Sequence, residues 1–176
     1  MIESKDVLLI KDINNAQPII KINQKLISSL FKLFFGLYIF VLLYVTLLAW
    51  NYGASLGPEG PGGRNYNLTP FRSIYRISVY SKDIMDPIRI LLGNIVLFIP
   101  FGLLLPLAFK KFAKSFFIII FMGMSVSIFI EICQFVFTYR VSNIDDVILN
   151  TVGTMIGVIV FKIVRIVKRR VIFMHS

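Results

Sequence analysis

The sequence predicts an all-α integral membrane helical bundle with four transmembrane helices. Three observations carry this. The 176 residues are 57% hydrophobic, the apolar residues gather in bilayer-length runs, and positive charges flank those runs. Soluble domains sit nearer half apolar and scatter such residues by amphipathic patterning. A span needs about 20 residues, so four of them leave no room for a large separate catalytic domain. Lys and Arg number 19 against 9 acids, a net charge of +10. In a soluble chain that balance points to nucleic acid. Beside apolar runs it points to membrane lipids with anionic headgroups, and no nucleic-acid partner is expected. One cysteine, Cys133, excludes an intrachain disulfide, and the one histidine, His175, stands in the tail. No metal site and no cofactor are expected.

Residues 1–29 form a basic N-terminal segment, in which Ile19, Ile20, Ile22, Leu26 and Ile27 follow helix spacing loosely. A helix on the membrane surface and a solvated tail both fit it. The membrane domain is expected over residues 30–167, with a basic tail over 168–176. The first span, Leu30–Trp50, starts too far into the chain for an ordinary signal peptide and reads as uncleaved. Lys32 can snorkel from its start, and Trp50 and Tyr52 suit an interfacial belt at its far end. Asn51–Pro87 reads as a long loop, because the Gly57–Gly63 stretch with Pro58 and Pro61 cannot hold a helix or strand. Its aromatic and basic second half, with Tyr66, Phe71, Arg72, Tyr75, Arg76 and Tyr80, suits a segment lying against headgroups.

The second span is Ile88–Phe109, where Pro100 and Pro106 should kink the helix and free backbone carbonyls. The third span is Ser115–Phe137, with Glu131 as its one charge. The fourth runs from Asp145 to about Val167. The N-terminal segment, the Lys110–Lys114 turn and the C-terminal end hold the greater share of the positive charge. The positive-inside rule therefore places both termini in the cytoplasm and the long loop outside.

Each later span carries polar residues toward its outer end. At 1.5 Å per residue, Asn94, Glu131 and Asn150 each lie roughly 8–10 Å below that end. Gly123, Ser127, Glu131, Gln134 and Thr138 form one stripe on the third helix. Asp146, Asn150, Gly153 and Gly157 form another on the fourth, and Gly153–Gly157 is a GxxxG that lets backbones approach closely. Facing stripes would close the inner half with small residues and gather polar groups in the outer half. An acid near a helix centre costs about 3 kcal/mol to insert, and the Ile, Phe and Val residues of the third span, at roughly 0.3–0.6 kcal/mol each, outweigh it. Two arrangements then stand open. The polar groups are either interhelical bonds, or the lining of an outward pocket rimmed by Arg72, Arg76 and Arg140. Asp145 and Asp146 also suit the start of their own helix, where they complement its dipole.

Asn67-Leu68-Thr69-Pro70-Phe71 precedes the second span, and Asn94 through Gly102 read Asn-Ile-Val-Leu-Phe-Ile-Pro-Phe-Gly. Glu131 and Gln134 follow, then Arg140, Asp145-Asp146, Asn150-Thr151 and Gly153. Together, in this order, these elements resemble the VanZ-like family over about Leu30–Val160. Asn143, where a small or acidic residue is expected, is a departure. The resemblance implies a bacterial membrane protein of the cell envelope, linked in some members to antibiotic resistance against lipid-tailed glycopeptides such as teicoplanin, without an agreed biochemical activity. Carried over by residue, it points to Asn67, Pro70, Phe71, Asn94, Pro100, Gly102, Glu131, Gln134, Arg140, Asp146, Asn150 and Gly153.

The leading expectation is a non-enzymatic envelope protein. Asn67, Arg72, Asn94, Glu131, Gln134, Arg140, Asp146 and Asn150 would bind a lipid-linked or anionic group, such as a cell-wall precursor or a lipoglycopeptide. The alternative is an enzyme using Glu131 with Asp145 or Asp146 as an acid/base pair on a phosphate- or sugar-linked lipid. Neither a serine nucleophile nor a metal is required by the spacing. A transporter or partner-subunit role would need an oligomer.

Overall fold

A computed structural model describes residues 24–48, 66–81, 85–137 and 141–173. Residues 1–23 of the N-terminal segment, the Gly57–Gly63 stretch, the Trp50–Tyr52 belt, Arg140 and His175 lie outside those residues, while Leu26 and Ile27 of the expected surface helix belong to the first long helix. Helix α1 (Gln24–Leu43) continues through a π-helical turn, Tyr44–Leu48. A two-residue strand β1 (Tyr66–Asn67) is followed by α2 (Arg72–Tyr80). One α-turn (Met85–Pro87) and a π-helical segment (Ile88–Leu92) lead into α3 (Gly93–Ala108). After a 3₁₀ turn, Lys110–Phe112, come α4 (Phe116–Phe137), strand β2 (Ser142–Asn143) and α5 (Ile144–Phe173).

Among the described residues, four helices are long and apolar enough to cross a membrane: Lys25–Leu48, Ile88–Ala108, Phe116–Phe137 and Ile144–Lys168. The chain is an all-α, multi-pass membrane bundle. Helix α1 begins before the expected Leu30, and α5 runs beyond Val167, because no Pro or Gly stands at either boundary. The expected long loop is not structureless. It contains α2, which buries none of its residues, and β1, which pairs in parallel with β2 (Tyr66 opposite Ser142, Asn67 opposite Asn143).

The core lies between the spans, around Leu42, Phe98, Phe101, Leu105, Ile119, Ile130 and Val158. Helices α3 and α5 meet at a glycine seam. A methyl group on Gly153 would overlap the Ile95 carbonyl, one on Gly157 the Ile99 carbonyl, and one on Gly102 the Thr154 carbonyl. The expected partner of the GxxxG was the third span; its partner is the second. Gly102 on α3 supplies the reciprocal small surface, so the two backbones touch. The third span instead meets the next face of α5, where Gly123 lies against the Thr154 side chain.

Pro100 and Pro106 sit inside a continuous α3. Near Pro100, the Tyr38 hydroxyl of α1 donates to the Leu97 carbonyl at 2.8 Å and accepts from the Phe101 amide. The same hydroxyl ties α1 to α3, and Phe35 adds edge-on ring contacts with Phe101 at 5.7 Å and Phe109 at 6.0 Å.

Candidate functional site

At the end of the bundle where α4 finishes and α5 begins, the backbone leaves helical geometry and its polar groups need partners. Backbone polar groups removed from water need partners wherever the helix stops supplying them. Asn143 is the centre of the solution. It caps α5, its Oδ1 accepting from the Asp145 amide at 3.2 Å. The same oxygen accepts from Asn67 Nδ2 at 3.0 Å and from the Ser73 hydroxyl at 3.2 Å. Its Nδ2 donates to Asp146 Oδ1 at 3.1 Å, and its backbone amide donates to Glu131 Oε2 at 2.7 Å. One side chain and its peptide group thus connect α4, α5 and the β1–α2 segment.

Asp145 supplies the second tie. Its carboxylate accepts from the amides of Phe71 (2.5 Å), Ser73 (2.7 Å) and Ile74 (3.1 Å). These amides open α2, which has no cap from its own side chains. A carboxylate at a helix N-terminus complements the dipole and satisfies donors the helix cannot. Asp145 is 1% exposed, and these three amides are the donors to its carboxylate among the described residues. Asp145 stands in the first turn of its own helix, as expected, and its carboxylate also serves the start of α2.

The approach to α2 is shaped by Asn67 and Pro70. Asn67 Oδ1 accepts from the Thr69 amide at 3.2 Å, closing an Asx turn, while Nδ2 also donates to the Ser73 hydroxyl at 2.9 Å. Phe71 then adopts a left-handed backbone, with φ 64°. That conformation is uncommon for a bulky residue, and here it aims the Phe71 amide at Asp145. The Asn67–Phe71 element therefore has a physical account that spacing did not provide.

The structure brings four of the expected residues to one place. Glu131 and Asp146 are adjacent, both bonded to Asn143, and Asn94 of α3 bonds the Asp146 side chain. Asn67 reaches the same cluster through Asn143. Asn150 lies one turn deeper, with Nδ2 donating to the Ser127 hydroxyl at 2.8 Å. Its Oδ1 is buried without a hydrogen-bond partner among the described residues.

Three expected residues stand elsewhere or outside view. Gln134 donates from Nε2 to the Thr46 carbonyl at 2.9 Å, so it joins α4 to α1. That carbonyl belongs to the π-helical turn, where the regular i→i−4 pattern is broken. Arg72 is exposed on α2, as is Arg76. Arg140 lies outside the described residues. Sequence reasoning missed Asn143 and Ser73 as site residues. The available signal was Asn143 standing immediately before an apolar helix, an N-cap position.

Among the described residues, no group of three or more His, Cys, Asp or Glu side chains is arranged to hold a metal ion. The cluster can accept hydrogen bonds through its carboxylates and donate them through its amides.

Protein VanZ of Enterococcus faecium is 33% identical over 125 residues, which is 69% of this chain and 67% of that protein. No solved structure matches the chain. The VanZ/LLP1 family profile matches residues 35–165, a stretch that contains the second and third spans whole, all but the last three residues of the fourth, the later part of the first, and the whole acid–amide cluster. The chain belongs to the VanZ/LLP1 family.

Proposed function

We propose that this chain is a cell-membrane protein whose acid–amide cluster recognises the polar head of a lipid-linked or lipid-tailed molecule, and so contributes to resistance against glycopeptides such as teicoplanin. The observation that carries the reading is convergence: Asn94, Glu131 and Asp146 from three spans meet beside the segment that begins α2. Carboxylates and amides together offer acceptors and donors to sugar hydroxyls and peptide groups. The exposed Arg72 and Arg76 on α2 suit phosphate or carboxylate parts of the same molecule. The unpaired Asn150 Oδ1 supports the reading, since a buried acceptor ordinarily finds a donor.

Lys32, Lys111, Lys162 and Arg165 lie at the opposite end, around the Lys110–Phe112 turn. By the positive-inside rule that end faces the cytoplasm, with both termini, and the cluster faces outward. Expression of the wild type, Glu131→Gln and Asn150→Ala in a sensitive host tests the proposal. The wild type should raise the inhibitory concentration of a lipid-tailed glycopeptide over that of a tail-less one. Each variant, present in the membrane at the wild-type level, should lose most of that increase. Full retention by both would refute the assignment.

A second reading draws on the adjacency of Glu131 and Asp146, which could form an acid/base pair acting on a phosphate- or sugar-linked lipid. Asp145, committed to three backbone amides, is not available to such a pair. A new lipid product made by the purified wild type, and not by Glu131→Gln, would favour catalysis over recognition.

A further inference from the structure

A second site, remote from the acid–amide cluster, lies between α1 and α4 at the basic end. Helix α1 is tied to α4 at its far end by Gln134 and Thr46, and to α3 by Tyr38 and Phe35. Toward the basic end the space between α1 and α4 is an open cavity of about 380 Å³. Phe35 and Ile39 of α1 form one wall, Met122 and Val126 of α4 the other, and the side chains of α3 the floor. Its size falls within the range of small-ligand sites, and its walls are apolar.

The mouth has the opposite character. Phe109 and Phe112 line the cavity, and each carries an ammonium group over its ring: Lys32 at 6.0 Å from the Phe109 centroid and Lys111 at 4.8 Å from that of Phe112. Lys111 also lines the cavity, and both lysines are exposed. The carboxylates of Glu131, Asp145 and Asp146 lie at the other end of the bundle, so they do not neutralise this pair. The α1 lysine and the turn lysine stand where a span meets the headgroup region, and long stems let such groups reach the phosphate level.

We propose that this cleft holds one acyl chain of an anionic phospholipid from the leaflet at the basic end, with the lipid phosphate between Lys32 and Lys111. An apolar slot fits hydrocarbon, and paired ammoniums at its mouth select a negative head. This goes beyond recognition at the acid–amide cluster and does not depend on it.

Native mass spectrometry of the full chain in detergent tests the proposal, with phosphatidylglycerol and phosphatidylcholine of identical acyl chains as probes. The wild type should form a one-to-one complex with phosphatidylglycerol roughly 10- to 30-fold tighter than with phosphatidylcholine, the effect expected of about two lysines at an anionic head. Lys32→Ala combined with Lys111→Ala should bring the two lipids to within about threefold. Met122→Trp, which fills the slot, should weaken both. Val126→Phe replaces it if that variant does not elute as a single species. No preference in the wild type, a preference kept by the double lysine variant, or unchanged binding in the filled variant would each overturn the proposal. Displacement of the lipid by equimolar inorganic phosphate would also overturn it, since the head alone would then be bound.

Discussion

The two ends of the bundle solve the same problem by different means. At the cluster end, residues 141–143 before α5 and the approach to α2 are non-helical, and Asn67, Glu131, Asn143 and Asp145 accept from backbone amides there. At the basic end, the connection from α3 to α4 is a 3₁₀ turn that satisfies its own backbone, with Ala113 and Ser115 amides donating to Lys110 and Phe112 carbonyls. Aromatic rings and lysine stems do the rest, and Arg165 adds one bond to the Ala113 carbonyl at 3.0 Å. Irregular backbone inside a membrane protein demands specific polar partners. A tight turn at the surface does not. The polar residues of the spans accordingly gather at one end.

The largest effect should come from the seam both ends share. Gly153→Val places a branched side chain against the Ile95 carbonyl and should cost about 3 kcal/mol or more, as overpacking between backbones cannot relax cheaply. Loss of the monodisperse peak in size-exclusion chromatography would register it, and both ends should fail together. Asp145→Ala should break the comparison at one end only. It strands three amides at the start of α2 and should cost about 3 kcal/mol. Limited proteolysis should then cut near residues 66–81, while the Lys110–Phe112 region stays protected. Equal cleavage at both ends would show that Asp145 holds more than α2. Tyr38→Phe is the mildest. It removes the hydroxyl that joins Leu97 to Phe101 and should cost about 1 kcal/mol, read as a small drop in Tm with no new cleavage.

Much of this was legible in the sequence. The spans followed from apolar run length. Counting depth along helices set Asn94, Glu131 and Asn150 at one level; the structure puts Asp146, one turn before Asn150 on the same stripe, with Asn94 and Glu131, and bonds Asn150 to Ser127. Depth alone does not fix rotation, however. Gln134 lies on the same stripe as Glu131 by spacing, yet three residues turn it far enough to reach Thr46 on α1. The GxxxG partner was misjudged for a related reason: chain adjacency favoured the third span, while the reciprocal Gly102 sits on the second. The role of Asp145 was the least accessible. Its partners lie more than 70 positions earlier, and capping is ordinarily read from neighbours in sequence. Asn143 stood as a departure from the family pattern, and the structure makes it the residue with the most partners in the cluster.

The central claim is that the segment before α2 is fastened to the start of α5, with Tyr66 beside Ser142. In a Cys133→Ser background, Tyr66→Cys paired with Ser142→Cys tests it in native membranes, since residues opposite each other on paired strands lie within disulfide reach. Mild oxidation should link this pair nearly completely, and leave Tyr66→Cys with Ala113→Cys unlinked. If the first pair stays reduced, or if both pairs link alike, the segment is not held where this account places it.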